Sequence, residues 1–183
     1  ITITTRAKSW GPNYFQAGFN WEDDFSLDSA ITLSLAYTMT DFTQMGGEWR
    51  NEVELGYRKL VASEFYQPLD RDQTFYSLAR LQYQMRNWDL LDQDSSYLLL
   101  ENNVAQFELG LGYNYDSDGL IELGFVGENG QVKSEVSAQN SINYHSTGAY
   151  LKLTYDTLNS ISFPTEGNRF TFTSYLRDES YSG

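Results

Sequence analysis

The stretch Trp49-Arg50-Asn51-Glu52-Val53-Glu54-Leu55-Gly56-Tyr57-Arg58 places Trp49, Val53, Leu55 and Tyr57 on one side of an extended chain. Arg50, Glu52, Glu54 and Arg58 fall on the other, because successive side chains of a strand point to opposite faces. The same period of two continues in both directions. Upstream, Phe15, Ala17, Phe19 and Trp21 alternate with Gln16, Gly18 and Asn20, and Ile31, Leu33, Leu35, Tyr37 and Met39 alternate with Thr32, Ser34, Ala36 and Thr38. Downstream, Ala79, Leu81, Tyr83 and Met85 oppose Arg80, Gln82, Gln84 and Arg86. Phe107, Leu109, Leu111 and Tyr113 then oppose Gln106, Glu108, Gly110 and Gly112. Later segments are built on Ile121, Leu123 and Phe125, on Ala149, Leu151, Leu153 and Tyr155, and on Phe170 and Phe172.

Residues 60–68 are the least regular segment, since Phe65 and Tyr66 are adjacent and interrupt the alternation before Pro68. The pattern predicts nine strands, no helix and no sequence repeat. Pro12, Pro68 and Pro164 all fall at segment ends, where they remove no donor from a ladder. Compact turns are expected at Met45-Gly46-Gly47, Asp70-Arg71-Asp72 and Asp116-Ser117-Asp118-Gly119, and longer polar loops around 22–29, 87–97 and 127–145. With Ile1 to Lys8 on the periplasmic side, short turns would follow even strands and most long loops odd ones, as in a bacterial outer-membrane barrel.

Composition narrows the function. The 183 residues include no cysteine and one histidine, which excludes disulfide staples, thiolate chemistry and most transition-metal sites. Twelve Lys+Arg against 25 Asp+Glu give a net charge of -13, which repels a phosphate backbone and argues against nucleic acid as a partner. No run approaches the roughly 18 apolar residues of a spanning helix, so a membrane would be crossed by strands. No cofactor is implied.

A soluble sandwich also alternates, and the strand ends discriminate. Trp21, Tyr37, Trp49, Tyr57, Trp88, Tyr113 and Tyr155 gather near predicted ends and read as two aromatic girdles at membrane interfaces. A strand of about ten residues rises ~34 Å and, tilted ~40°, spans about 26 Å, which suits the ~25 Å apolar band of such barrels. Arg50, Glu52, Glu54, Arg80, Arg86, Glu108 and Lys152 occupy the opposite face, with Arg58 and Glu122. A dry core would not hold so many charges, whereas a polar lumen accommodates them as a cross-strand network. The fold expected is an all-β, antiparallel up-and-down transmembrane β-barrel. Its rival is a soluble small barrel of the lipocalin kind, with an apolar ligand inside and charges outward.

Lys8-Ser9-Trp10-Gly11-Pro12-Asn13-Tyr14, Gly46-Gly47-Glu48-Trp49-Arg50 and Glu64-Phe65-Tyr66-Gln67-Pro68-Leu69 resemble the C-terminal barrel of bacterial patatin-like phospholipases. That barrel belongs to the bacterial surface antigen superfamily, with the barrel-assembly insertase and the two-partner secretion transporters. Tyr155-Asp156-Thr157-Leu158-Asn159 and Phe163-Pro164-Thr165-Glu166-Gly167-Asn168-Arg169 resemble the superfamily's periplasmic turn signature, with Asp156, Phe163, Pro164, Thr165 and Gly167 as its marked positions. The resemblance implies that this turn helps assembly or insertion. It also implies that residues 1–10 end a preceding polypeptide-transport-associated (POTRA) segment, and that 11–183 form the N-terminal part of a sixteen-stranded barrel. The partners implied are outer-membrane lipid, an N-terminal passenger domain and, for about nine strands standing alone, a second copy closing the barrel. A patatin-like enzyme needs a Gly-x-Ser-x-Gly elbow, which does not occur here, so no catalytic residue is expected and any phospholipase activity would lie upstream.

Other chemistry is weak. Asn114 to Gly119 matches the start of a calcium loop, but Phe125 stands where the bidentate Glu belongs, and a tight turn is the better reading. Glu22-Asp23-Asp24 and His145 read as solvated loop residues, and Gly127-Glu128-Asn129-Gly130 as a turn.

Overall fold

The computed structural model describes residues 13–23, 29–56, 58–91, 97–115, 118–134, 141–160 and 165–182. They form one antiparallel sheet of nine strands in sequence order, and contain no helix. The strands are β1 (Tyr14–Asp23), β2 (Ser29–Met39), β3 (Glu48–Gly56), β4 (Arg58–Pro68), β5 (Phe75–Leu91), β6 (Tyr97–Tyr115), β7 (Gly119–Ser134), β8 (Ser141–Asp156) and β9 (Arg169–Ser182). Each pairs with its chain neighbours, so β1 and β9 are the two edges of the described sheet.

Register keeps every apolar series on one face, because directly paired residues share a side of the pleat. Leu33 pairs with Leu55, Val53 with Val61, Leu81 with Phe107, Leu109 with Phe125, and Leu123 with Leu151. This face stands open: Phe19 is 69% exposed and Leu111 64%. The buried side chains lie on the opposite, polar face, among them Leu60, Ala62, Tyr76, Val104, Val126 and Tyr150. There, side chains reach across an intervening strand. Tyr76 of β5 meets Glu122 of β7, and Arg177 of β9 meets Glu128 of β7. Residues from non-adjacent strands thus converge on the polar side.

Three expectations need correction. β4 runs without interruption to Pro68: Phe65 pairs with Ala79 on the apolar face, and Tyr66 turns to the polar face, where its ring lies 4.9 Å from that of Tyr76. The two adjacent aromatics keep the alternation because the polar face accepts tyrosine. The expected loops at 87–97 and 127–145 are largely strand, so Gly127 to Gly130 lies within β7 and His145 within β8. His145 Nδ1 and Asn129 Oδ1 are 2.6 Å apart across that pair of strands. Glycines that punctuate a turn elsewhere are tolerated here because aromatic rings pack over them from the neighbouring strand. The anticipated contrast of loop lengths also fails. The described strand ends on either side of 24–28, 57, 92–96 and 135–140 leave little room for long loops there, and β5 to β8 are long instead.

Candidate functional site

The polar face carries its charges in rungs. Arg50 pairs with Glu64, Glu64 with Arg80 and Arg80 with Glu108, so the sign alternates across β3, β4, β5 and β6. Arg80 Nη1 lies 3.2 Å from Glu64 Oε2, and Arg50 Nη2 3.6 Å from Glu52 Oε2. Arg50, Glu52, Ala62, Glu64 and Arg80 line a hollow of about 180 Å³. Arg58 Nε donates to Glu54 at 2.7 Å, which relieves its placement directly opposite Arg86. Glu108 accepts from Gln106 at 2.8 Å. Lys152 stands opposite Glu122. All seven charges singled out in the sequence therefore share one face. The sequence pattern did not single out Glu64, because its segment looked irregular.

A second cluster centres on Glu122, which is 4% exposed and accepts hydrogen bonds from Tyr76 Oη at 2.7 Å and Tyr150 Oη at 2.9 Å. Glycines make this possible. Gly112 is the direct partner of Tyr76 and Gly124 of Tyr150, and a Cβ at either would overlap the facing ring. The rings fill the space that a side chain would take at these glycines, restoring packing that glycine leaves out. Sequence reasoning missed both tyrosines. The only signal, an aromatic at polar-face parity with a glycine opposite, requires the register.

The other face forms a belt. On β6 to β9 the apolar positions run from Tyr113, Ile121, Leu153 and Phe172 to Phe107, Phe125, Ala149 and Leu176. Beyond them the same face turns polar at Asn103, Asn129, Thr147 and Asp178. Tyr37, Trp49, Tyr113 and Tyr155 sit at the strand ends joined by the turns that follow even strands, and Trp21 lies toward the opposite end of β1. Trp49 packs edge-on against Phe42 at 5.6 Å and donates Nε1–H to Ser63 Oγ at 2.8 Å. Tyr57 and the side chain of Trp88 lie outside what is described.

The connection between β8 and β9 is tied by its own side chains. Asn159 Oδ1 accepts from the backbone N–H of Thr165 at 3.0 Å and Glu166 at 3.3 Å, and its Nδ2 donates to Thr165 Oγ1 at 2.8 Å. Asp156 Oδ1 accepts from the Leu158 N–H at 3.0 Å, and Asp156 Oδ2 lies 3.4 Å from Arg169 Nε. Gly167 has φ near +100°, and a Cβ there would strike the Thr157 carbonyl. Asp156, Thr165 and Gly167 thus belong to one built turn, with Asn159, not singled out from sequence, at its centre. Phe163 and Pro164 lie outside the described residues, as do residues 1–12, 24–28 and 116–117.

No family model and no curated protein matches this chain. Among solved structures it is similar to the crystal structure of BamA from Haemophilus ducreyi lacking POTRA domains 1–3, with a TM-score of 0.63 over 88% of this chain at 12% identity. The fold is like that of BamA. The similarity covers 39% of the BamA chain, so the present chain spans about two fifths of that structure. At this identity the likeness concerns the fold: one all-β, up-and-down antiparallel sheet.

Proposed function

We propose that this chain is part of an outer-membrane β-barrel of the bacterial surface antigen type, which anchors or translocates an N-terminal passenger domain without itself catalysing a reaction. The observation that carries this reading is the continuous exposed apolar belt, backed on the reverse face by alternating charges. In water a belt of this extent would drive association, whereas in hydrocarbon it is the natural exterior of a barrel. Aromatic residues at strand ends would fix its depth, and the charged face would line a polar conduit.

The fold likeness to BamA supports the barrel class. The patatin-like passenger, the preceding POTRA segment at 1–10 and an assembly role for the Asp156 to Arg169 turn rest on sequence resemblance. Free edges at β1 and β9 would leave backbone groups unpaired in lipid, at several kcal/mol each, so the reading requires further strands or a second copy to complete the wall. The lipocalin-like alternative needs apolar side chains to converge. Here the converging face carries the ion pairs and the buried Glu122 among small apolar side chains, while the large exposed apolar residues stand on the other face.

Sedimentation and circular dichroism of the purified chain, with and without detergent, test the proposal. The expected outcome is aggregation in buffer and a monodisperse β-rich particle in detergent. A monodisperse β-rich monomer in plain buffer would overturn it.

A further inference from the structure

Above the belt, the polar face of β6 to β9 holds a recess of about 410 Å³ that the barrel reading does not use. Its central rung is Glu128, Ser146 and Glu179, directly paired across three strands. The Tyr144 and Tyr181 rings, with centroids 6.4 Å apart and planes at 39°, form one wall. Tyr144 lies over Gly130, where a Cβ would overlap its ring, and its hydroxyl is 3.5 Å from Asn102 Oδ1. Arg177 Nη1 lies 3.2 Å from Glu128 Oε2, with the guanidinium 4.6 Å from the Tyr175 ring centre. Tyr181 Oη donates to Glu179 Oε2 at 2.6 Å. Ser146 also lines the recess, is 3% exposed, and its Oγ has no hydrogen-bond partner. An unpaired buried hydroxyl is costly, and although this oxygen is closed off as it stands, a turn of the short Ser146 side chain toward the recess would let an occupant's hydroxyl satisfy it.

We infer that this recess is a saccharide-binding site. Tyrosine faces suit the C–H face of a sugar ring, and the same walls present donors (Arg177, the Asn102 amide, the Ser146 hydroxyl) beside acceptors (Glu128, Glu179). A polyol needs both kinds. Arg177 amid the carboxylates disfavours an organic cation, and two carboxylates disfavour an anion. At roughly 30 Å³ per water the space equals about fourteen waters, which suits a small saccharide. The recess lies beyond the belt, and its chemistry is independent of what the belt contacts.

The test uses the full chain in a detergent without sugar headgroups, titrated with maltose, galactose and N-acetylglucosamine by saturation-transfer NMR and calorimetry. Arginine amide and inorganic phosphate serve as cation and anion probes. At least one saccharide should saturate with Kd on the order of 1 mM, and Ser146→Ala and Tyr181→Ala should weaken it by about tenfold or more with unchanged circular dichroism. Asn129→Ala, on the reverse face of β7, should bind as the parent chain does. Ser146→Ala removes a single atom, so loss of fold would not obscure the result. The inference is overturned if no saccharide saturates, if all three variants bind alike, or if arginine amide or phosphate saturates in place of sugar.

Discussion

Glu122 concentrates the chemistry of the polar face into one side chain: a buried carboxylate between two phenol donors from strands on either side. Replacing it with Leu leaves both hydroxyls without their acceptor, at about 1–3 kcal/mol for each group. Glu122→Gln retains one acceptor oxygen and should lose less. Urea unfolding from detergent micelles, followed by tryptophan fluorescence, measures the difference, and equal stability of the two variants would contradict the assignment. Gly124→Ala tests the packing beside it. A methyl there collides with the Tyr150 ring, and overpacking of this kind costs about 1–3 kcal/mol in the same assay. Glu122 could be read from the sequence as a polar-face residue by parity alone. Its partners Tyr76 and Tyr150 could not, because aromatics carry no mark of which face they join until the glycines opposite are known.

At the scale of elements, hairpin geometry depends on a few turn residues. Asp70, between β4 and β5, accepts from the Phe75 N–H at 2.6 Å and the Thr74 N–H at 3.1 Å. The Phe75 bond leads in holding its carboxyl below the ordinary value of 3.8. Because the folded value is depressed, this support is complete above the unfolded value and is lost as pH falls through the lower, folded one. The Phe75 and Thr74 amide resonances should therefore titrate together with a midpoint below 3.8, and the titration should vanish in Asp70→Asn. A midpoint at or above 3.8 would contradict the turn geometry. This turn was legible as Asp70-Arg71-Asp72, since Asp and a polar neighbour commonly close tight turns. The upper parts of β7 and β8 were not. Gly127, Asn129 and Gly130 carry the composition of a turn, and it is Phe107 and Tyr144, supplied by other strands, that make them serve as strand.

For the molecule as a whole, two faces of opposite character on one sheet fix what each side can contact. Outside β4 and the upper parts of β7 and β8 the period of two was legible, because one misplaced parity would put a charge in the belt. Nothing local in the sequence encodes cross-strand register, so neither the charge rungs nor the recess at Ser146 could be drawn from it. The chain contains no cysteine, so single introduced cysteines report one position at a time. The most direct test of the two-faced sheet is spin labelling along β6 at residues 103 and 106–109 in lipid vesicles, comparing accessibility to oxygen and to a water-soluble nickel chelate. Labels at 107 and 109 should favour oxygen, those at 106 and 108 should favour the chelate or neither, and 103 should favour the chelate. A uniform profile along 106–109, or an oxygen maximum at 108, would contradict it.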